Sequence, residues 1–481
     1  MNLIYWKNGI GKKYKEISLP MKTVFWFTVC GFLQKAFGML TTPVFTRVMS
    51  TEEYGEYSVF VSVTTILTVI ATFNITSVIV TKGINKYYEK QEQFIANIQG
   101  LSSVSVLISA VIFFSIQEWF CQITGLGITI MCFAWGEIFV MPAFGIWSAK
   151  QRYDCNYKKI LLFTVVYLVL NTVLVIGVVV FSKNKGEARI ISSCVVLIIM
   201  YGLLYLSNMQ WKRGVFSTEM IKFALRFNLP LIPQGLANQV LSRSDILMIQ
   251  YFQGTAQSGI YSLGYSVAMI VIILTVSIND VYVPWLYKKL ANKEWGAIKE
   301  KSIYMLEVVF TVITGMILTA PEIVRIFAPG EYKEAVYVIA PVAVGIAFTI
   351  VDTLFVYIEL YFEKTLIVML GSIFVAVLNI VLNAYFIPRF GFIAAAYTTL
   401  ASYIGYTIIH FLCVLKFCRK EILIFEIYNI KKILALCVLQ IIALLIIVWM
   451  YPYSRLRYMI AMAGCACVGL VLIKRKALNV G

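Results

Sequence analysis

The chain has 481 residues, of which 60% are hydrophobic and 14% charged, and its mean hydropathy is +0.84. Soluble globular chains carry about 25% charged residues, so this composition excludes a water-soluble domain and indicates an integral membrane protein. The 41 Lys and Arg against 24 Asp and Glu give a net charge of +17. These cations lie in short gaps between apolar runs, which favours a role in membrane orientation over nucleic-acid binding.

Apolar runs long enough to cross a bilayer occupy nearly the whole chain. The first run begins at Thr23 after a lysine-containing segment without a small-residue cleavage site, so we predict a retained span and no removable signal peptide. Long runs without alternation predict helices and exclude a barrel. Windows of about 19 residues predict fourteen spans, near 23–46, 58–80, 95–117, 125–148, 160–181, 190–207, 224–250, 261–286, 303–323, 335–358, 366–387, 392–415, 432–451 and 457–473.

The basic residues predict the orientation of these spans. Lys and Arg concentrate in alternate loops, with one exception at 183–189, and such loops stay in the cytoplasm. We therefore predict a multi-pass protein of the plasma (inner) membrane with both termini cytoplasmic. All loops are short, so function must lie within the helical bundle and its rims.

A short motif indicates an internal repeat. Gly55-Glu56-Tyr57-Ser58 opens the second span and Gly259-Ile260-Tyr261-Ser262 opens the eighth, at an offset of 204 residues, while Gly186 and Gly391 recur at nearly the same offset. Six spans separate the copies, which predicts parallel halves related by a pseudo-twofold axis along the membrane normal. The predicted organisation is an N-lobe at 1–215, a C-lobe at 216–416 and a C-terminal helix pair at 417–481.

Ionisable residues inside apolar spans are costly and are the default functional candidates. Lys35 and Glu137 lie near the middle of the first and fourth spans. Lys35 either lines a cavity or forms a structural pair with Glu137. Asp280, Glu307 and His410 lie near predicted cytoplasmic ends, where snorkelling or capping explains them. Asp352 in the tenth span is a further ionisable residue of this kind.

The seventh span carries a polar stripe. Gln234, Asn238, Ser242 and Asp245 are spaced 4, 4 and 3 residues apart and share one helical face, with Arg243 on the adjoining face. Such a stripe either lines a polar cavity or forms interhelical hydrogen bonds. Pro230 and Pro233 predict a break in the helical hydrogen bonds just upstream.

Enzyme motifs are lacking in the sequence. It contains no P-loop, HExxH or GxSxG motif and a single histidine, so we predict no enzyme, no cofactor and no metal. The ten cysteines form no CxxC pair and are predicted to be reduced core residues. A driving force, if one is needed, would come from an ion or substrate gradient, with H⁺ and Na⁺ as the candidate ions.

Several segments resemble the polysaccharide-biosynthesis flippases, which handle O-antigen and capsular oligosaccharides and share a superfamily with MATE exporters and lipid II flippases. These segments are Leu241-Ser242-Arg243-Ser244-Asp245-Ile246-Leu247-Met248-Ile249, then Gly259-Ile260-Tyr261-Ser262 and Pro284-Trp285-Leu286-Tyr287-Lys288-Lys289-Leu290, together with Pro43-Val44-Phe45-Thr46-Arg47 and Glu53-Tyr54-Gly55-Glu56-Tyr57-Ser58 in the first half. The resemblance extends to about residue 416.

The resemblance implies a two-lobed, alternating-access bundle with a cationic central cavity. Its substrate would be an undecaprenyl-diphosphate-linked oligosaccharide, moved from the cytoplasmic to the outer leaflet, and its partners would include the bilayer, a polysaccharide polymerase and assembly proteins. Cations replace water around a diphosphate. The implied head-group and cavity contacts are Lys35, Arg47, Arg226, Arg243, Gln234 and Asn238, and the implied ion-coupling or gating carboxylates are Asp245 and Glu137.

Three alternatives remain. A MATE-type drug or cation antiporter would depend on acidic and aromatic residues and little on Lys35 or Arg243. A lipid II-type flippase would move another prenyl-linked precursor. A polysaccharide polymerase would carry a long external loop with catalytic Arg or His, which the short loops here disfavour.

Overall fold

The computed structural model describes residues 18–75, 78–209, 216–417 and 424–464. Within these ranges the regular elements are helices and no strand occurs. The all-α class is therefore confirmed. The chain divides into two compact units, Met1–Gln239 and Val240–Gly481. The lobe limits at 215 and 416 stay predictions.

The first unit consists of long helices joined by short connections and short helices. In chain order they are α1 (Leu19–Val48), α2 (Thr51–Ala71), α3 (Val78–Lys86), α4 (Gln91–Ser115), α5 (Gln117–Thr124), α6 (Ile128–Tyr153), α7 (Tyr157–Phe181), α8 (Lys185–Asn208) and α9 (Thr218–Asn228). Helix α10 (Ile232–Gln253) begins in this unit and continues into the second.

The second unit continues in the same style after α10. Its helices are α11 (Thr255–Ala268), α12 (Val271–Ala291), α13 (Trp295–Leu318), α14 (Ala320–Phe327), α15 (Val336–Tyr361), α16 (Thr365–Phe390), α17 (Ile393–Phe417), α18 (Ile424–Ile427) and α19 (Ile430–Trp449). Short 3₁₀ segments lie at Tyr88–Lys90, Leu229–Leu231 and Gly330–Ala335.

Twelve helical segments of the described chain are long and apolar enough to cross a membrane, and they match twelve of the fourteen predicted spans. The seventh predicted span is not among them, because the polar face of α10 lowers its mean hydropathy. The fourteenth, 457–473, extends past residue 464, outside the described residues. The count of fourteen is therefore approximate, and the chain is a multi-pass membrane protein.

Several predicted spans are interrupted in the structure, and the seventh and eighth illustrate how. The seventh breaks where the prolines predicted it, since α9 ends at Asn228 and a 3₁₀ turn containing Pro230 precedes α10. Proline lacks the N–H that would continue the helical ladder. The eighth span, predicted as one helix, is two, because the chain turns at Met269 and Ile270 before α12 starts.

The internal repeat is visible in the order of elements. Gly55 and Gly259 are each the fifth residue of their helix, α2 and α11. Eight-residue helices that the sequence did not predict, α5 and α14, start at residues 117 and 320, an offset of 203. In each unit the short helix thus follows the third predicted span of that half of the repeat, α4 in the first unit and α13 in the second.

Packing in the first unit centres on α6 and α8, which lie against each other, with α4 on α6 and α2 on α8. The start of α2 is fixed by a capping box, in which the Ser50 hydroxyl accepts from Glu53 N–H and the Glu53 carboxylate accepts from Ser50 N–H. A buried polar contact joins α4 and α8, because the Asn208 amide donates to Gln99 Oε1 at 3.2 Å.

Helix α15 is the core of the second unit. Almost all of its most apolar stretch is buried, and it packs against α17, α11, α13 and α19. Helix α17 also packs against α16. Asp352 and Glu359 on α15 and His410 on α17 are consequently buried inside the second unit.

Candidate functional site

Asp245 on α10 is the most buried member of the predicted site, with 1% of its surface exposed. Its carboxylate accepts hydrogen bonds from the Tyr261 hydroxyl at 2.6 Å, the Thr399 hydroxyl at 2.5 Å and the Asn383 amide at 2.6 Å. No ion pair of the described residues involves Asp245. Neutral donors therefore take the place of a counter-cation around this carboxylate.

A second layer of polar groups holds these donors in place. The Asn379 Oδ1 atom accepts from the Asn383 amide at 3.1 Å and from the Ser244 hydroxyl at 3.1 Å, while the Asn379 amide donates to Thr399 at 3.3 Å. Thr398 donates to Asn383 Oδ1. We call the set the Asp245 cluster, consisting of Asp245, Tyr261, Asn379, Asn383, Thr398 and Thr399, all of them buried.

The Asp245 cluster joins four helices of the second unit, α10, α11, α16 and α17. Its ligand atoms are one carboxylate with amide and hydroxyl oxygens, the donor set that hard cations prefer. The hydroxyls rotate and the amides can reverse, so the same groups can present either hydrogens or oxygens. No three His, Cys, Asp or Glu side chains of the described chain are placed to hold a metal ion. The cluster therefore has the chemistry of a site for a proton or a monovalent cation, namely one carboxylate among neutral oxygens.

The predicted residues on α1 and α6 are not brought together as a pair. The Glu137 carboxylate, half-buried on α6, accepts from the Cys194 thiol of α8 at 3.2 Å. Lys35 is exposed on α1, and none of the ion pairs of the described residues joins it to Glu137. Arg47 is exposed in the last turn of α1, where its guanidinium donates to the Pro43 carbonyl at 2.8 Å.

The other predicted contacts lie along α9 and α10. Arg226 is exposed in the last turn of α9, and Asn238 is exposed on α10. Gln234 and Arg243 are half-buried on α10. The polar stripe of α10 thus changes from partly accessible at its N-terminal half to buried at Asp245. The assignment of these residues to a head-group site stays a prediction.

The sequence reasoning missed the partners of Asp245. Asn379 and Asn383 are one turn apart on α16, and Thr398 and Thr399 follow on α17. An i, i+4 pair of asparagines inside an apolar helix is a detectable signal, because such amides need partners in a membrane. It also missed Glu359, which lies two turns from Asp352 on the same face of α15.

Comparison with models of known protein families identifies the family of the chain. The family model described as "Polysaccharide biosynthesis protein" matches residues 21–290, which is 270 of 481 residues. The chain belongs to the polysaccharide biosynthesis protein family. No curated protein matches the sequence significantly.

Solved structures show the same fold at low identity. The lipid II flippase MurJ in an inward closed conformation superimposes with a TM-score of 0.69 at 12% identity, covering 94% of this chain and 99% of that one. An inward-facing multidrug resistance MATE transporter of the MOP superfamily gives 0.61 at 14% identity, covering 79% and 93%. A MOP superfamily transporter from Pyrococcus furiosus, described as having a binding pocket of reverse polarity, gives 0.56 at 14%, covering 82% and 94%. The chain therefore has the fold shared by these transporters.

Proposed function

We propose that this protein is a flippase that moves undecaprenyl-diphosphate-linked oligosaccharide repeat units from the cytoplasmic to the outer leaflet for surface polysaccharide synthesis. The observation that carries the proposal is membership of a polysaccharide biosynthesis family combined with the fold of a lipid II flippase. A polysaccharide made from lipid-linked units needs a protein that transfers the charged head group across hydrocarbon. The polymerase and the assembly proteins would use its product.

Recognition of the diphosphate is assigned to the cations. An Arg guanidinium can make two parallel hydrogen bonds to a phosphate, and a Lys ammonium provides a point charge. Arg243 is half-buried on α10, and a charge-assisted contact is stronger there than in water. Lys35, Arg47 and Arg226 have exposed side chains and would contribute positive charge to the head-group site. Gln234 and Asn238 would contact the sugars.

We further propose that transport is coupled to H⁺ or Na⁺ at Asp245. A buried carboxylate surrounded by reorientable oxygens can exchange its hydrogen bonds for a cation, and either ion would neutralise its charge. The hydrogen bonds of the Asp245 cluster support this assignment because they cross four helices, so that ion binding changes how these helices are held together. Glu137 is a second candidate for coupling in the first unit.

The first test is deletion of the gene in its own host and mass spectrometry of undecaprenyl-linked glycans, with a non-permeant probe reporting their membrane side. The proposal expects a complete repeat unit to accumulate on the cytoplasmic face and surface polysaccharide to disappear. Complementation then compares Arg243→Ala and Arg243→Lys with Arg389→Ala. Arg389 is an exposed arginine at the end of α16 that donates to the Tyr385 carbonyl, and it serves as a matched control.

The outcomes separate the alternatives. Loss of export in Arg243→Ala, partial activity in Arg243→Lys and full activity in Arg389→Ala would support a head-group contact at Arg243. Normal export in Arg243→Ala at equal expression would refute it. Unchanged glycans with altered sensitivity to cationic drugs would favour a MATE-type antiporter, and accumulation of lipid II would favour the peptidoglycan precursor.

The proposed orientation places both termini in the cytoplasm. Single cysteines introduced at Asp154 and Glu294 follow α6 and α12 and should be inaccessible to a non-permeant thiol reagent added to intact cells. A cysteine at Gly127, in front of α6, should react. The opposite labelling pattern would reverse the orientation.

A further inference from the structure

The second unit contains another group of buried ionisable side chains, which shares no residue with the Asp245 cluster. Asp352 and Glu359 lie on α15 and His410 lies on α17, with exposed fractions of 6%, 1% and 0%. His410 is the single histidine of the sequence. We call these three residues the His410 triad.

The triad is built around a close contact between the two helices. His410 Nδ1 lies 2.7 Å from Glu359 Oε2. Asp352 lies two helical turns before Glu359 on the same face and interacts electrostatically with both His410 and Glu359. Two carboxylates and one imidazole therefore share one apolar region between α15 and α17.

Each member of the triad has one polar atom that is buried without a hydrogen-bond partner among the described residues. These atoms are Asp352 Oδ1, Glu359 Oε1 and His410 Nε2. Unsatisfied buried polar atoms are costly, and three of them on two helices that pack against each other require an explanation. A proton bound to one of the carboxylates would neutralise its charge and give it an O–H donor that could bond to a neighbouring acceptor.

Helix α16 leaves room for the imidazole. A Cβ atom added at Gly371 would lie 2.7 Å from His410 Nε2, so glycine at this position permits the ring to sit there. The Tyr406 ring packs edge-on against the imidazole with centroids 4.5 Å apart, and its hydroxyl lies 2.8 Å from the Ser372 hydroxyl. The ring is thereby held on two sides by α16 and α17.

Few other ionisable groups face the triad. Tyr406 and Cys413 on α17 interact electrostatically with its carboxylates. Among the neighbouring helices, Asp280 on α12 interacts with Tyr357, while Glu307 on α13 pairs with Lys432 on α19 at 3.0 Å. No arginine or lysine of the described chain forms an ion pair with the triad.

We propose that the His410 triad is a proton-binding site that takes up and releases one proton during transport, independently of ion binding at Asp245. With all three groups ionised the triad has a net charge of −1, and loss of the imidazole proton makes it −2 in an apolar region. A buried site of this charge favours retention of a proton, and a change in its exposure changes that preference. No three His, Cys, Asp or Glu side chains of the described residues are placed to hold a metal ion.

Proton binding can be tested without any transport substrate. Infrared difference spectra of the purified full-length protein in lipid nanodiscs would be recorded on stepping the pH from about 5 to about 8, the interval in which histidine titrates. The wild type should show carboxylic-acid and imidazole bands. Asp352→Asn and His410→Gln should each lose part of this signal, while Asp280→Asn, which removes a carboxylate outside the triad, should retain it. Identical bands in all variants would overturn the proposal.

The transport half of the inference rests on the proposed flippase function. Export should depend on pH in the wild type, and in Asp352→Asn this dependence should fall to less than about twofold between pH 6 and pH 8. Gly371→Ala, which moves the imidazole while keeping all three ionisable groups, should shift the midpoint of the infrared titration. If Asp352→Asn alters the infrared bands but leaves the pH dependence of export unchanged, proton binding at the triad is not coupled to transport. If the protein exports no glycan but the infrared bands are as expected, the flippase proposal is refuted and the proton-site proposal is retained.

Discussion

Replacing Asp245 tests whether its hydrogen bonds stabilise the second unit. Asp245→Ala removes the acceptor of three bonds, from Tyr261, Thr399 and Asn383. At about 0.6 to 2 kcal/mol for each hydrogen bond inside a membrane protein, the loss is roughly 2 to 6 kcal/mol, partly offset because a buried carboxylate no longer has to be desolvated. We expect a net destabilisation of about 2 to 4 kcal/mol.

Asp245→Asn is the matched comparison. Tyr261 and Thr399 both donate to Oδ2, so the one carbonyl oxygen of asparagine can keep both bonds. Only the bond to Oδ1 from Asn383 is lost, because two amide groups would then face each other. We therefore expect Asp245→Asn to cost about 1 to 2 kcal/mol, less than Asp245→Ala.

The assay follows thermal or denaturant unfolding through the reactivity of buried thiols. Cys194 and Cys437 are buried, and they become accessible to a thiol-reactive fluorophore when their helices separate. Cys437 lies in the second unit and reports on it directly. If Asp245→Ala and Asp245→Asn unfold within about 0.5 kcal/mol of each other, the hydrogen bonds do not carry the stability assigned to them.

Three further predictions concern positions outside the candidate sites. Gly83→Ala should severely reduce folded yield, measured by size-exclusion chromatography, because the added Cβ would overlap the Phe94 ring in the core of the first unit. Arg457→Ala should destabilise the second unit more than Arg457→Lys, since the buried guanidinium donates to a carboxylate and to a carbonyl at the end of α13, and thiol reactivity of the second unit should report it. Lys289 donates to the exposed Glu294 and lowers the pKa of that carboxyl, so its small stabilisation should be present above about pH 4.3 and disappear as the pH falls through the lowered pKa. Unfolding midpoints of Glu294→Gln and wild type should therefore converge in acid.

The sequence predicted the long elements well because bilayer thickness imposes a length and a composition on each of them. Helix α10 is harder to recognise as a span by this criterion, because its polar face lowers its mean hydropathy. The prolines correctly predicted the helix break before α10, because proline lacks the backbone N–H that a helix needs. The short helices α5 and α14 were missed because eight residues are too few for a window set to the thickness of the membrane.

The candidate sites were predicted less completely for a different reason. A carboxylate such as Asp245 can be recognised from the sequence alone, because burying a charge in a membrane is unfavourable and needs a reason. Its hydrogen-bond partners, in contrast, depend on which helices pack against each other. Asn383 and Thr399 lie 138 and 154 residues further along the chain. His410 was explained by its depth as a group near a helix end, whereas the structure places it fully buried against Glu359. The sequence does not show that α15 packs against α17, and this packing is what brings His410 to Glu359.

The two buried acidic sites share a feature that bears on energy coupling. Neither the Asp245 cluster nor the His410 triad contains a lysine or arginine partner among the described ion pairs, and both lie in the second unit. Of the cations assigned to the anionic head group, Lys35, Arg47 and Arg226 lie in the first unit and Arg243 lies in the second. No lysine or arginine forms an ion pair with either site among the described residues, so a mobile cation bound there would lower the cost of burying these carboxylates. In the mechanism that we propose, the gradient of that cation would supply free energy for changing the conformation of the second unit.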